Sequence, residues 1–245
     1  MTDNQAFAFL RRFAPAHDAK VVLENKKVGF WNILRIAFRL RRGVPVAKII
    51  HKKWFYGLPF YTNRHTLDPR PDSETLVEAV IRNENPRRIL DLGTGTGCLL
   101  CAIMKNIPNA VGVGIDCSRR ACHVARRNAK DLGLRNRIKI LRGTFSNANA
   151  RDFDIVVANP PYIPDGDPRV NRGARRDPKT ALYGGHDGLR YYRQIARLRT
   201  NAKIYIEIGA GQGAAVKRIF SAAGWKPMAR YKDLTGCIRV LAFAG

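Results

Sequence analysis

The chain has 245 residues, enough for one large domain or a catalytic domain with a small appendage, and 45% of them are hydrophobic, enough to fill a core. Its formal net charge of +25 points to an anionic partner such as nucleic acid, yet the basic residues run from Arg11 to Arg239 in short pairs such as Arg41-Arg42, a scatter that fits non-specific attraction or plain compositional bias, so charge alone does not name the partner. No run reaches the roughly 18 apolar residues of a membrane span, Met1 to Leu10 carries Asp3 without a long apolar core, and the five cysteines lack framework spacing; neither a secretory leader nor a disulfide scaffold is expected, and a cytoplasmic protein is.

Residues 1–56 have helical patterning and form a small basic module. Ile33, Ile36, Ala37 and Leu40 recur at helical spacing, Gly43 and Pro45 stop that helix, and a short helix is predicted over Val46 to Lys53. Residues 57–72, with Pro59, Pro69 and Pro71, predict an extended linker, because a residue before proline is pushed out of the helical region. Ser73 then caps a helix whose apolar face is Leu76, Val77, Val80 and Ile81, opening a catalytic domain over residues 73–245.

From there strands and helices alternate. Arg88 to Leu92 reads as a buried strand, followed by Gly93-Thr94-Gly95-Thr96-Gly97 and an apolar helix from Cys98 to Ile107. Strands at Val111 to Ile115, Ile138 to Leu141, Phe153 to Ala158 and Ile204 to Ile208 follow, with helices between, which implies right-handed crossovers and a parallel sheet. The last two segments, Lys226 to Tyr231 and Cys237 to Phe243, are joined by too short a link for a crossover and form an antiparallel hairpin. Cys98 and Cys101 lack a second ligand pair and lie among Leu99, Leu100, Ala102 and Ile103, so they read as buried thiols, and no metal is expected.

A glycine turn after the first strand and an acid, Asp116, ending the second form the layout that binds a nucleotide-like ligand: the glycines admit close backbone approach and the acid accepts from ribose hydroxyls. The spacing is Gly-x-Gly-x-Gly rather than the dinucleotide Gly-x-Gly-x-x-Gly. With Asp91 before it and the final hairpin, it resembles S-adenosylmethionine-dependent methyltransferases of the Rossmann-like class I, which implies an α/β fold with a mostly parallel seven-stranded sheet. Asp91, Gly93, Thr94, Gly95, Thr96, Gly97, Asp116, Thr144 and Asn159 are then the expected cofactor contacts.

The strand ending at Ala158 runs into Asn159-Pro160-Pro161-Tyr162, where prolines stop it and place an amide and an aromatic ring at the sheet's ligand-binding edge. The bland reading is an ordinary Asn-Pro turn. With a methyl donor opposite, the same residues become an acceptor clamp. A planar nitrogen is a feeble nucleophile, so its N–H protons should be held by the Asn159 side-chain oxygen and the Pro160 carbonyl, with Tyr162 packed on the flat acceptor and no general base required. Asn159, Pro160 and Tyr162 are the expected catalytic residues.

Asn-Pro-Pro-Tyr occurs in amino-methyltransferases acting on bases and on protein glutamine. Here Gly43 to Ile50, Phe55 to Phe60, Pro69-Arg70-Pro71-Asp72-Ser73-Glu74, Asp91 to Gly97, Ala181 to Leu189, Glu207-Ile208-Gly209 and Lys232 to Gly236 follow in order, and together resemble the release-factor N5-glutamine methyltransferases, the PrmC/HemK family. The resemblance implies that the partner is a class I peptide chain release factor, whose Gly-Gly-Gln loop glutamine becomes N5-methylglutamine. It implies that Asn159, Pro160, Pro161, Tyr162 and Arg70 contact substrate, that Asp165 to Gly188 cradles it, and that the chain acts as a monomer. A base of RNA or DNA is the alternative acceptor. Two departures stand out: the module before Gly57 is short for the family, and Gly143-Thr144-Phe145 replaces the acid often found near the adenine. Arg175 and Arg176 read as a plain solvated loop.

Overall fold

The computed structural model describes residues 2–27, 29–168, 170 and 173–245; parts of the expectations for Met1 to Leu10 and for the 165–188 loop therefore fall outside the described residues. Helices α1 (Asp3–Leu10), α2 (Ala16–Asn25), α3 (Phe30–Arg41) and α4 (Val46–Ile50) pack around their own core of Leu10, Val22, Ile33, Ile36, Leu40 and Ile49. The apolar stripe read in the sequence is the buried side of α3.

Strands β1 (Lys53–Phe55) and β2 (Leu58–Phe60) form an antiparallel hairpin across the expected boundary between module and linker. The extended reading missed the turn because Tyr56 and Gly57, at its tip, both adopt positive φ, a geometry composed by two adjacent residues rather than by the prolines nearby. Phe55 and Phe60 bury against the main core. The helix expected to reach Lys53 stops at Ile50, since His51 is left-handed with φ 60°.

Next come α5 (Glu74–Asn83), β3 (Arg88–Leu92), α6 (Cys98–Asn106), β4 (Val111–Asp116), α7 (Arg119–Asp131), β5 (Ile138–Arg142), β6 (Ile155–Ala158), α8 (Arg190–Ile195), β7 (Lys203–Glu207), α9 (Gly213–Ala222), β8 (Lys226–Lys232) and β9 (Ile238–Ala244). They build a seven-stranded sheet in the order β5-β4-β3-β6-β7-β9-β8, parallel from β5 to β7, with β9 antiparallel to both neighbours. Helices α5, α6 and α7 cover one face and α8 and α9 the other, so the central strands are buried on both sides and read as continuous apolar runs. Cys101 lies in the first of these cores, and burial pushes the neighbouring Cys98 thiol up to about 12, so both behave as packing groups.

A buried ionic cluster joins the module to the sheet domain. Lys48 of α4 reaches Asp68 at 2.8 Å and Asp177 at 3.2 Å, and Asp177 also holds Arg70 at 2.8 Å. Lys48 further donates to Thr62 and to the carbonyls of Asn63 and Thr66. Each buried charge is thus paired and hydrogen-bonded, the condition under which burial is tolerated.

Candidate active site

Sheet register brings the predicted pieces to one edge. β3 pairs with both β4 and β6, Leu92 lying opposite Ile115 and Ala158, so the glycine turn emerges between Asp116 and Asn159. Ala158 in turn pairs with Ile206, which sets Glu207 level with Asn159. The sequence order reverses between β3 and β6, the crevice where open α/β sheets bind ligands.

The turn after β3 takes its shape from Gly93, Gly95 and Gly97, all with φ between 56° and 79°, a region closed to most side chains. Gly93 and Thr94 N–H groups donate to the Ile115 carbonyl, and Gly95 N–H donates to Asp116 Oδ2 at 2.9 Å. Asp116 Oδ1 accepts from Ser118 N–H at 2.8 Å; burial raises this carboxyl above the usual range, against the pull of those two donors. Asp91 lies behind the turn, accepting from Thr94 Oγ1 at 2.6 Å, its Oδ1 without a hydrogen-bond partner. Burial pushes Asp91 up to about 7.

A cavity of about 310 Å³ opens over this turn, in the size range of small-molecule sites (roughly 300–1,000 Å³). Gly93, Gly95, Asp116, Thr144, Asn159 and Pro161 of the expected site line it, together with Leu67, Phe145 and Tyr191. Asp91, Thr94, Thr96, Gly97, Pro160, Tyr162 and Arg70 do not. Thr94 is turned to Asp91, and the Thr96 carbonyl is taken by Asn128. These residues shape the turn from behind.

Asn159 is placed by a contact the sequence did not disclose. Its Nδ2 donates to Ser73 Oγ at 2.9 Å, and Ser73 and Asn159 both hydrogen-bond the Glu207 carboxylate. Ser73 was expected to cap α5; it stands at the cap position with no side-chain capping bond, because its hydroxyl is committed to the site. Glu207 is buried at the end of β7 with Oε2 lacking a partner, and desolvation pushes it up to about 7 against the hydrogen bonds of Ser73 and Asn159 and the charge of Arg239. The motif Glu207-Ile208-Gly209 was legible, but only the fold sets its carboxylate beside Asn159.

The clamp loop is held by close backbone approach. A Cβ at Gly184 would lie 2.5 Å from the Pro161 carbonyl oxygen, and one at Gly188 would strike the Tyr162 carbonyl, so the Gly184-to-Gly188 segment packs on the clamp as only glycine allows. Gln212 Nε2 donates to the Tyr162 carbonyl at 2.9 Å, and Gln212 Oε1 accepts from Gly209 N–H and Tyr192 Oη. Burial holds the Tyr162 hydroxyl above its ordinary range, so it stays neutral. Arg70, half exposed, is engaged by Asp177. Arg175 and Arg176 are both exposed, as a solvated loop has them, and each also donates to a backbone carbonyl, Arg175 to that of Val170 and Arg176 to that of Arg42.

Residues 64–173 match the methyltransferase small domain family. The release factor glutamine methyltransferase of Rhodospirillum rubrum is 42% identical over 209 residues, 80% of this chain and 63% of that protein, so this chain spans less than two thirds of that relative's length. The release factor glutamine methyltransferase of Agrobacterium fabrum is 38% identical over 229 residues, 85% of this chain and 78% of that protein. Among solved structures, the hMettl16 catalytic domain in complex with an RNA hairpin of MAT2A superposes with a TM-score of 0.62 at 16% identity, covering 97% of this chain and 92% of that one. A methyltransferase from Pyrococcus furiosus gives 0.58 at 16% identity, covering 86% and 98%. Both show the fold alone, a methyltransferase fold; the methyltransferase family matched in sequence implies S-adenosylmethionine as the methyl donor. The residues present fit that donor: a cavity with an apolar wall, a glycine turn for close approach, and the Asp116 carboxylate at its rim. The chain belongs to the release factor glutamine methyltransferase family.

Proposed function

We propose that this chain methylates the side-chain amide nitrogen of the glutamine in the Gly-Gly-Gln loop of class I release factors, acting as a monomer in the cytoplasm and yielding N5-methylglutamine. The observation that carries this reading is the fixed orientation of Asn159. With Nδ2 donated to Ser73 Oγ, its Oδ1 is the atom left to accept from an acceptor's N–H.

S-adenosylmethionine, when bound over the glycine turn, supplies an electrophilic methyl. Gly93, Gly95 and Asp116 line its cavity, with Asp116 placed to accept from ribose hydroxyls and Thr144 at the adenine end. Asp91 keeps the turn in register through Thr94. An amide nitrogen has its lone pair delocalised, so the protein's contribution is orientation. Asn159 Oδ1 and the Pro160 carbonyl take the two N–H protons, the prolines fix φ so that these oxygens do not drift, and Tyr162 packs on the planar group. Arg70 and the loop after Pro161 face the protein substrate. The neutral Tyr162 and the buried Glu207 are both poor bases toward the acceptor, consistent with a proton lost only after the methyl has transferred.

Purified protein given S-adenosylmethionine with a labelled methyl should label a release factor and leave one with the loop glutamine replaced by alanine unlabelled. Equal labelling of both, or label found only in added RNA, refutes the reading, and the latter points to the nucleobase alternative.

A further inference from the structure

A second cavity, of about 410 Å³, shares His65 with the first and lies between the helical module and the loop after the clamp. Its walls carry Arg39, Lys48, His51, Arg64, His65 and Arg176, and no carboxylate side chain. A smaller recess lined by Lys26, Arg35, Arg39 and His51 continues it along α3. Lys48 is neutralised by Asp68 and Asp177. Among the described residues the three guanidinium groups have no carboxylate partner: Arg39 donates to the Lys48 carbonyl at 3.0 Å, Arg64 to the His65 ring at 3.3 Å, and Arg176 to the Arg42 carbonyl, all neutral acceptors.

Positive charges gathered without counter-charge repel one another, and the surroundings register it. Burial first, then Lys26, Arg39 and Arg127, hold His51 below the usual imidazole range; burial, Arg120, Arg64 and Lys48 do the same to His65. An anion seated here would relieve that repulsion, and guanidinium forks match phosphate oxygens in particular.

The outer face of α3 narrows the class of anion. Trp31 is 80% exposed and Phe38 58%, with Arg35 and Arg42 between and beyond them at the three-to-four spacing of one helix face. The Arg42 guanidinium sits 5.3 Å from the Phe38 ring centroid. Flat, exposed rings alternating with arginines beside a basic cavity are the parts of a single-strand nucleic-acid site, where bases stack and phosphates pair. An acidic peptide would use the charges and leave the rings idle.

We propose that the basic cavity between α3, α4 and the loop after the clamp, together with the exposed Trp31–Phe38 face of α3, binds single-stranded RNA. The inference stands apart from the choice of methyl acceptor. It also gives part of the +25 charge a location.

Fluorescence anisotropy of a labelled single-stranded RNA of about 12 nucleotides, within the span of single-strand sites (roughly 4–16), tests it across a salt series. The triple variant Arg35→Gln, Arg64→Gln, Arg176→Gln should bind at least about tenfold more weakly, with a shallower salt slope by about 2, as three phosphate contacts on a single strand require. A distant triple, Arg151→Gln, Lys217→Gln, Arg230→Gln, removes the same charge and should stay within about twofold of the parent. Trp31→Ala with Phe38→Ala should weaken binding by about tenfold with the salt slope unchanged. Circular dichroism melts of each variant confirm folding. Equal loss in both charge triples means bulk attraction and overturns the proposal. So does binding of inorganic phosphate or polyglutamate without RNA, which would make this a small-anion or acidic-peptide site.

Discussion

Replacing Ser73 by alanine tests the orientation argument at its narrowest point. Ser73 is buried, its Oγ accepts from Asn159 Nδ2 at 2.9 Å, and it hydrogen-bonds the Glu207 carboxylate. The substitution removes a hydrogen bond worth about 0.5–1.5 kcal/mol net and leaves a half-buried amide donor under-satisfied, at a further cost below the roughly 1–3 kcal/mol of a fully buried group. The Asn159 amide then keeps only its Glu207 hydrogen bond, which holds it less tightly, and its oxygen no longer faces the acceptor in every molecule. Losing about 1.4–2.8 kcal/mol of that positioning in the transition state lowers kcat about 10- to 100-fold. Ser73 does not line the cofactor cavity, so the affinity for S-adenosylmethionine should hold within about threefold. The measurements are kcat from labelled-methyl incorporation into release factor, cofactor Kd by calorimetry, and Tm. A variant that melts earlier yet turns over within about twofold of the parent would show that Ser73 only supports the start of α5, and the orientation argument would be wrong.

Asn159→Ala should reduce turnover at least about a hundredfold while cofactor affinity stays within about tenfold; unchanged turnover in the labelled-methyl assay would make Asn159 a turn residue. Gly188→Ala should cost at least about 2 kcal/mol in denaturant melts and depress kcat, since Gly188 has φ 72° and the new Cβ meets the Tyr162 carbonyl; a neutral effect would mean the loop rides free of the clamp. Glu207→Gln should be pH-dependent in one direction. Burial raises the folded-state pKa from 4.5 to about 7, so the native state holds its proton longer than the unfolded chain and loses stability as pH rises across that window. Below about pH 4.5 the variant and parent should therefore match, and above about pH 7.5 the variant should be more stable by up to about 3 kcal/mol. The opposite slope in thermal melts would show that the carboxylate is stabilised where it sits.

The elements of the sheet domain were legible because each obeys a local rule. Ile89, Leu90 and Leu92 announce a strand buried on both faces, the glycine turn announces a left-handed bend, and the short link between the last two strands forbids a crossover. The hairpin at 53–60 was not legible, since its turn depends on Tyr56 accepting positive φ, which no residue type advertises. Half of the site was visible in the same way. Asn159 and Asp116 end strands, so their positions follow from counting; Ser73 and Glu207 converge on Asn159, and Gln212 on the Tyr162 carbonyl, from three other elements, and convergence is decided by register and packing. The resemblance had already quoted the stretches holding Ser73 and Glu207. What those side chains touch was beyond it.

The helical module has a consequence for the clamp that does not depend on docking. The loop after Pro161 is polar and lacks periodicity, and although it buries Val170 and Leu182 it has no regular apolar face with which to hold itself down. It is held by Lys48 on Asp177, by Arg176 on the Arg42 carbonyl, and by Gly184 and Gly188 against the backbone of Pro161 and Tyr162. Two of these three anchors come from α4 and from the residue following α3. The burial of Asp177 raises its pKa and Lys48 opposes that rise, so the pair is set where an unpaired carboxylate would be expelled to water, and the loop with it. Truncating the module would therefore disturb the clamp before it disturbed the sheet: β3, β6 and β7 bury their residues against α5, α6, α8 and α9, whereas the loop over their ends leans on the module.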